Sequence, residues 1–177
     1  MMKGPRDAIA TSVRAAMLAW MLASVLALSA CTTPPLVPGQ SSRADAVRIH
    51  GAPTGRYGLD GGAERLEFAT GPYGRTTWMV DVDAQGRVLR AAQVLNEASF
   101  LEVQEAIARG PLTPEALLRM IGRPGERFGA RTGQIWNWRY PTHDCLWFQA
   151  TIAHDGSAVR DAGYGIDRRC DAPNDHR

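Results

Sequence analysis

The chain has 177 residues and a formal net charge of +2, with 20 Lys plus Arg against 18 Asp plus Glu. The first thirty residues hold three of those cations and one acid, so residues 31–177 carry 17 arginines, no lysine and 17 acids and are formally neutral. A neutral body lacks the basic patch with which a nucleic-acid binder neutralises phosphates, and its length suffices for one domain or two small modules.

Lys3, Arg6 and Arg14 precede an uncharged run, Ala15 to Ala30, AAMLAWMLASVLALSA. A positive start followed by an apolar segment reads as a secretory signal over residues 1–30. A permanent span needs roughly 20 apolar residues, so this run is short for an anchor. Leu28-Ser29-Ala30-Cys31 has the pattern of a lipobox: a branched apolar residue, two small residues and a cysteine. Small side chains let the backbone enter a signal peptidase, and the thiol is the nucleophile that takes up diacylglycerol. The sequence thus predicts cleavage between Ala30 and Cys31, with acylated Cys31 holding the chain to the lipid bilayer. The weaker reading is an ordinary secretory signal with a coincidental cysteine. Thr32, rather than Asp, follows the cysteine and points to the inner leaflet of the outer membrane, facing the periplasm.

Residues 31–41 form the expected tether. Its three prolines favour extended polyproline conformation at about 3.1 Å per residue, which keeps the folded part near the bilayer. Ser42 is then a good N-cap for a helix ending at Gly51, with Pro53 beyond. RLEFAT (65–70), TTWMVDVD (76–83) and RVLRAAQVL (87–95) read as strands, with a turn at Ala84-Gln85-Gly86. Glu97 to Ala108, with Phe100, Leu101, Val103 and Ile107, is a predicted helix. A second helix runs from Thr113, with Pro114 at its first position, to Gly122. The strands QIWNWRY (134–140), CLWFQATIA (145–153) and SAVRDAGYG (157–165) follow, the last two joined at His154-Asp155-Gly156.

The two halves repeat one another. At an offset of 71, Gly39, Ser42, Gly51, Pro53, Arg56, Tyr57 and Gly58 match Gly110, Thr113, Gly122, Pro124, Arg127, Phe128 and Gly129. At an offset of 70, Leu66, Phe68, Trp78, Gly86 and Leu89 match Trp136, Trp138, Phe148, Gly156 and Val159. Order and shared chemistry make this an internal duplication.

With Cys31 acylated, Cys145 and Cys170 remain. An oxidising periplasm favours their pairing, and a bridge closing a loop of about 26 residues would contribute on the order of 3.5 kcal/mol. Free thiols are a second reading. A metal site using the nearby His143 and His154 is a third, although H-x-C with a second cysteine 25 positions on matches no common zinc pattern. His143-Asp144-Cys145 looks reactive on paper, but an oxidised cysteine is no nucleophile, and proximity in sequence does not make a triad. His50 lies at a helix end, where a cation is favoured. No catalytic residue, metal or cofactor is expected. Whether Trp136, Trp138 and Trp147 are core or contact surface stays open, since alternation can place some of them on an exposed face.

The segment G-P-L-T-P-E-A-L-L-R-M-I-G-R-P (110–124), before a strand ending W-N-W-R-Y and a later D-G turn, resembles the SmpA/OmlA (BamE-like) family of outer-membrane lipoproteins. The family pattern is roughly G-M-T-x-x-x-V-x-x-x-L-G-x-P ahead of a short meander. Gly110, Thr113, Leu117, Ile121, Gly122 and Pro124 fit it. The tandem helix-plus-sheet plan is also similar to that of the β-lactamase inhibitory proteins. The resemblance implies an α+β fold of two tandem BamE/BLIP-like repeats, 42–96 and 97–177. Each would place short helices on one face of a three-stranded antiparallel meander. It further implies a non-catalytic interaction or assembly module of the cell envelope, with an envelope protein such as a β-barrel assembly component as partner. An inhibitor or ligand-binding module for a periplasmic enzyme is the alternative.

Overall fold

A computed structural model describes residues 35–70, 76–140, 145–167 and 170. The first half contains helix α1 (Arg43–His50) and strands β1 (Gly55–Gly58), β2 (Glu64–Thr70), β3 (Thr76–Val82) and β4 (Val88–Gln93). The second contains α2 (Glu97–Arg109), α3 (Pro114–Ile121), β5 (Glu126–Ala130), β6 (Gly133–Arg139), β7 (Leu146–Ile152) and β8 (Val159–Ile166). The strands of each half form their own antiparallel sheet in chain order, so the described residues make an α+β fold with two four-stranded sheets and three α-helices.

Each sheet therefore has one strand more than the three-stranded meander that the sequence predicts. The additional strands are GRYG and ERFGA, short and glycine-containing, with no two-residue alternation to mark them. Their pairing comes from outside: β1 runs along the free edge of β2, and β5 along that of β6.

The helices begin where side chains satisfy the first free amides. Ser42 accepts from the Asp45 backbone at 3.2 Å, and the Asp45 carboxylate accepts in return from the Ser42 backbone at 2.9 Å. These bonds, with Arg48 beside them, hold the half-buried Asp45 carboxyl down at about 2. Thr113 and Asn96 cap α3 and α2 in the same manner, at 3.1 and 3.0 Å.

Both helical layers lie on one face of their sheets, but they differ in weight. Phe100 and Val103 of α2 and Leu117 and Ile121 of α3 pack on Trp136, Trp138, Phe148 and Ala150. Phe100 stacks on Phe148 with ring centroids 4.3 Å apart. The short α1 buries only Ala46, against Leu66, Phe68, Val80 and Val82. Leu36, from the expected tether, fills part of the remaining space. The tether is thus shorter than the sequence suggests: a turn at 38–40 fastens to β4, Gly39 donating to Val88 O at 2.8 Å.

The internal repeat extends to individual hydrogen bonds. Val88 N donates to Ser41 O, as Val159 N donates to Leu112 O, both at 2.8 Å. Thr54 N to Glu67 O, at 2.7 Å, recurs as Gly125 N to Asn137 O, at 2.9 Å. Phe68 pairs with Trp78 as Trp138 pairs with Phe148, and each sheet has its register shift at the equivalent place, Asp81/Val82 and Thr151/Ile152. One match needs correcting. Val159 pairs with Ile152 as Val88 pairs with Val82, so Val88 and not Leu89 is its equivalent. The last hairpin of the second half is one residue longer, which returns the offset to 71.

Gly51 and Gly122 close the equivalent helices α1 and α3 at φ +84 and +78, where a Cβ is strained. Only Gly122 is also crowded: a Cβ there would lie 2.7 Å from Thr77 Cγ2, whereas at Gly51 it would meet nothing. Gly51→Ala is therefore expected to cost about 1 kcal/mol, and Gly122→Ala about 2–4 kcal/mol, because overpacking adds to the same backbone strain. Urea unfolding of the two variants side by side measures the difference.

Candidate functional site

Alternation along β2 and β3 turns Leu66, Phe68, Val80 and Val82 toward α1 and sends Arg65, Glu67, Thr77, Met79 and Asp81 to the opposite face. Alternation predicts a solvated polar face there. Instead Glu67 and Thr77 are buried at 0% and 1% exposure. The end of α3 covers them. Arg65 grips Asp81 with two bonds, at 2.6 and 2.8 Å, and donates a third to Arg119 O at 2.8 Å, capping the helix carbonyls with a cation.

Glu67 has lost its water and gained a set of donors. Thr54 Oγ1 and the Arg123 backbone N–H reach Oε1 at 3.1 Å each, and the Tyr57 hydroxyl reaches Oε2 at 2.5 Å. Gly55 leaves room for the carboxylate, since a Cβ on it would lie 2.6 Å from Oε2. Burial, and then the bond to Glu67, push the Tyr57 phenol well above its ordinary range.

Next to this carboxylate lies a cleft of about 550 Å³, within the size range of small-molecule sites. Glu67 and Ala69 of the first sheet, the Arg123–Glu126 connection, and Asn137, Arg139 and Trp147 of the second sheet line it. Asn137 and Trp147, each only 2% exposed, stand on the face of their sheet turned away from α2 and α3. Neither finds a hydrogen-bond partner among the described residues: Asn137 Nδ2 and Oδ1, Trp147 Nε1, and Thr77 Oγ1 are all buried without one. Leaving such a group unpaired costs on the order of 1–3 kcal/mol.

The repeat relates these residues. Glu67 and Asn137 are equivalents, as are Thr77 and Trp147. In the first half the buried acceptor is saturated; in the second the amide is left with both functions unused. Arg139 is committed elsewhere, donating to the buried Asp167 at 3.2 Å with its guanidinium 5.4 Å from the Trp147 ring centre. Asp167 is in turn held by Cys145: its N–H donates to Cys145 O at 2.9 Å. Cys145 and Cys170 are joined as a disulfide with Cα atoms 5.6 Å apart, so the bridge pins the segment that positions Arg139 beside the cleft.

Of the residues singled out from sequence, Cys145 and Cys170 come together, while Ala30 and Cys31 lie outside the described residues, as do His143 and Asp144. The tryptophans divide. Trp136 and Trp138 face the helices in the core, with Trp138 Nε1 donating to Gly122 O at 3.0 Å, and Trp147 faces the cleft. His154 meets the Arg131 carbonyl at 2.8 Å. His50 does end α1, and it lies over Phe68 and Trp78 at 5.3 and 5.2 Å, where burial lowers its pKa. Among the described residues no three His, Cys, Asp or Glu side chains converge as metal ligands.

No family model matches the chain, and no curated protein matches it. Among solved structures it is similar to the DUF4309 family protein YjgB of Bacillus subtilis, at 13% identity over 75% of this chain and 82% of that one, with a TM-score of 0.28. At that distance the chain's own residues must carry the functional argument.

Two measurements probe this region. Tyr57→Phe leaves the buried Glu67 carboxylate one donor short and is expected to cost about 1.5–3 kcal/mol in urea unfolding. His50, with its folded pKa depressed, stabilises the fold in the neutral form. That contribution is whole above the unfolded value near 6.5 and is lost as pH falls through the lower folded value. Unfolding free energy measured from pH 7.5 to 5 should fall less steeply in His50→Gln than in the parent.

Proposed function

We propose that the chain is a lipid-anchored, non-catalytic binding module of the cell envelope, BamE-like in plan, that takes its ligand in the cleft between the sheets. The observation that supports this reading is the pair Asn137 and Trp147, buried yet unpartnered on the cleft wall. A scaffold needing only stability is served as well by apolar residues there, since an unmade buried hydrogen bond is a net cost. Polar groups held bare beside a cavity of ligand size are what a preorganised site requires.

The anchor is the other half of the proposal and rests on the lipobox. Cleavage after Ala30 and acylation of Cys31 with diacylglycerol and palmitate would fix the module to the inner leaflet of the outer membrane. Because the chain fastens to β4 by Gly39, only a few residues of sequence separate Cys31 from the folded body. An envelope protein, a barrel-assembly component among the candidates, is the partner that this position favours, and the neutral body fits no nucleic acid.

Metabolic labelling with palmitate and membrane fractionation test the anchor. The parent should be labelled and outer-membrane bound, and Cys31→Ser unlabelled and soluble; a labelled Cys31→Ser protein would overturn it. A photo-crosslinker in place of Glu126, at the cleft, tests the binding reading in native membranes. An adduct with one membrane protein, competed away by unlabelled parent, supports the assembly role. An adduct with a soluble hydrolase replaces that role with inhibition, and no adduct at all counts against the cleft.

A further inference from the structure

We infer that the cleft recognises a neutral amide group, with Asn137 and Trp147 as its readers. The inference rests on the cleft being the binding site and adds the chemistry of what enters it. Asn137 presents two unused functions side by side, a donor Nδ2 and an acceptor Oδ1. Trp147 adds one unused donor, Nε1–H. A carboxylate would satisfy the two donors and leave Oδ1 bare, and an ammonium would do the reverse. A neutral group that carries a carbonyl and an N–H in one plane satisfies all three.

Charge in the walls narrows the choice in the same direction. The buried Glu67 carboxylate opposes a second anion on one side. The Arg139 guanidinium, tied to Asp167, opposes a cation on the other. Arg123 and Glu126, both exposed at the same cleft, add one charge of each sign, so the walls are balanced and favour a neutral dipole over an ion of either sign. Ala69 and Pro124 supply apolar wall, and the cavity of about 550 Å³ is far larger than one bridging water needs. The amide can come from the main chain of a peptide or from the acetamido group of an amino sugar, and the two share the same planar donor–acceptor pair.

The test uses the full chain in detergent micelles, labelled with ¹⁵N at tryptophan, with the Trp147 indole resonance assigned from Trp147→Phe. N-acetyl-trialanine amide and N-acetylglucosamine are titrated as amide probes, and succinate and putrescine as charged ones. At least one amide probe should move the Trp147 resonance saturably, and the stronger of the two names the source. Asn137→Leu should weaken that probe at least tenfold while leaving the Trp136 and Trp138 resonances in place, which shows that the core is intact. Asn137→Asp, which keeps the shape and replaces the donor with an anion, should weaken it at least tenfold as well. Saturable binding of succinate or putrescine with no response to either amide would overturn the amide assignment and leave the cleft a binding site. Silence from all four probes would overturn both. An amide affinity within twofold of the parent in Asn137→Leu would remove Asn137 as the reader.

Discussion

Glu67 accepts hydrogen bonds from Thr54, from Tyr57 and from the backbone of Arg123, and the last of these reaches across 56 residues of sequence. A carboxylate at zero exposure is tolerable only when its lone pairs are filled, so the geometry of the whole joint follows from that requirement. The end of α3 must lie against the first sheet to deliver the Arg123 amide. Gly122 is held to glycine, because the same approach would bring a Cβ there to 2.7 Å from Thr77 Cγ2 and 3.3 Å from Met79 Cε. Arg65 then reaches the exposed carbonyl of Arg119, and Trp138 reaches that of Gly122. The helix that closes the core of the second half is thereby also the lid on the far face of the first.

That joint explains why two copies of one plan have diverged in chemistry. Equivalent positions on the strands carry Glu67 and Asn137, and Thr77 and Trp147. In the first half the far face is covered by α3, and there the Glu67 carboxylate has its donors while Thr77 Oγ1 has none. In the second half no helix among the described residues covers the equivalent face. It borders the cleft, and there the amide and the indole have stayed unpaired. Divergence followed the environment that tertiary packing imposed, not the local strand, which has the same register in both copies.

The sequence displays most of the fold because the signals are local. Ser42, Asn96 and Thr113 announce helix starts, Gly51 and Gly122 announce ends, and alternation marks six of the eight strands. GRYG and ERFGA escape because they carry no alternating pattern and exist as strands only where β2 and β6 offer an edge. The candidate site was nearly illegible for a related reason. Glu67 in R-L-E-F and Asn137 in W-N-W sit where alternation places a polar residue in water. That rule holds for a sheet with one covered face, and here both residues are buried, Glu67 by chain more than fifty positions away. The single hint was the repeat itself: a glutamate in one copy standing where the other has an asparagine flanked by tryptophans.

The energetic balance of the second sheet bears on how such a site persists. Its core layer holds Trp138, Phe148 and Phe100 fully buried, and truncating any one of these costs about 3–5 kcal/mol. Against that, the unpaired Asn137 and Trp147 functions cost on the order of a few kcal/mol together. The Cys145–Cys170 bridge closes the end of the same sheet and holds Asp167, and through it Arg139, at the margin of the cleft. A small domain with marginal stability can keep bare polar groups only where neighbouring packing exceeds their cost. The strong aromatic layer on one face of β6 and β7 and the unsatisfied amide on the other are therefore two sides of one arrangement. The first supplies the packing that outweighs the cost of the second.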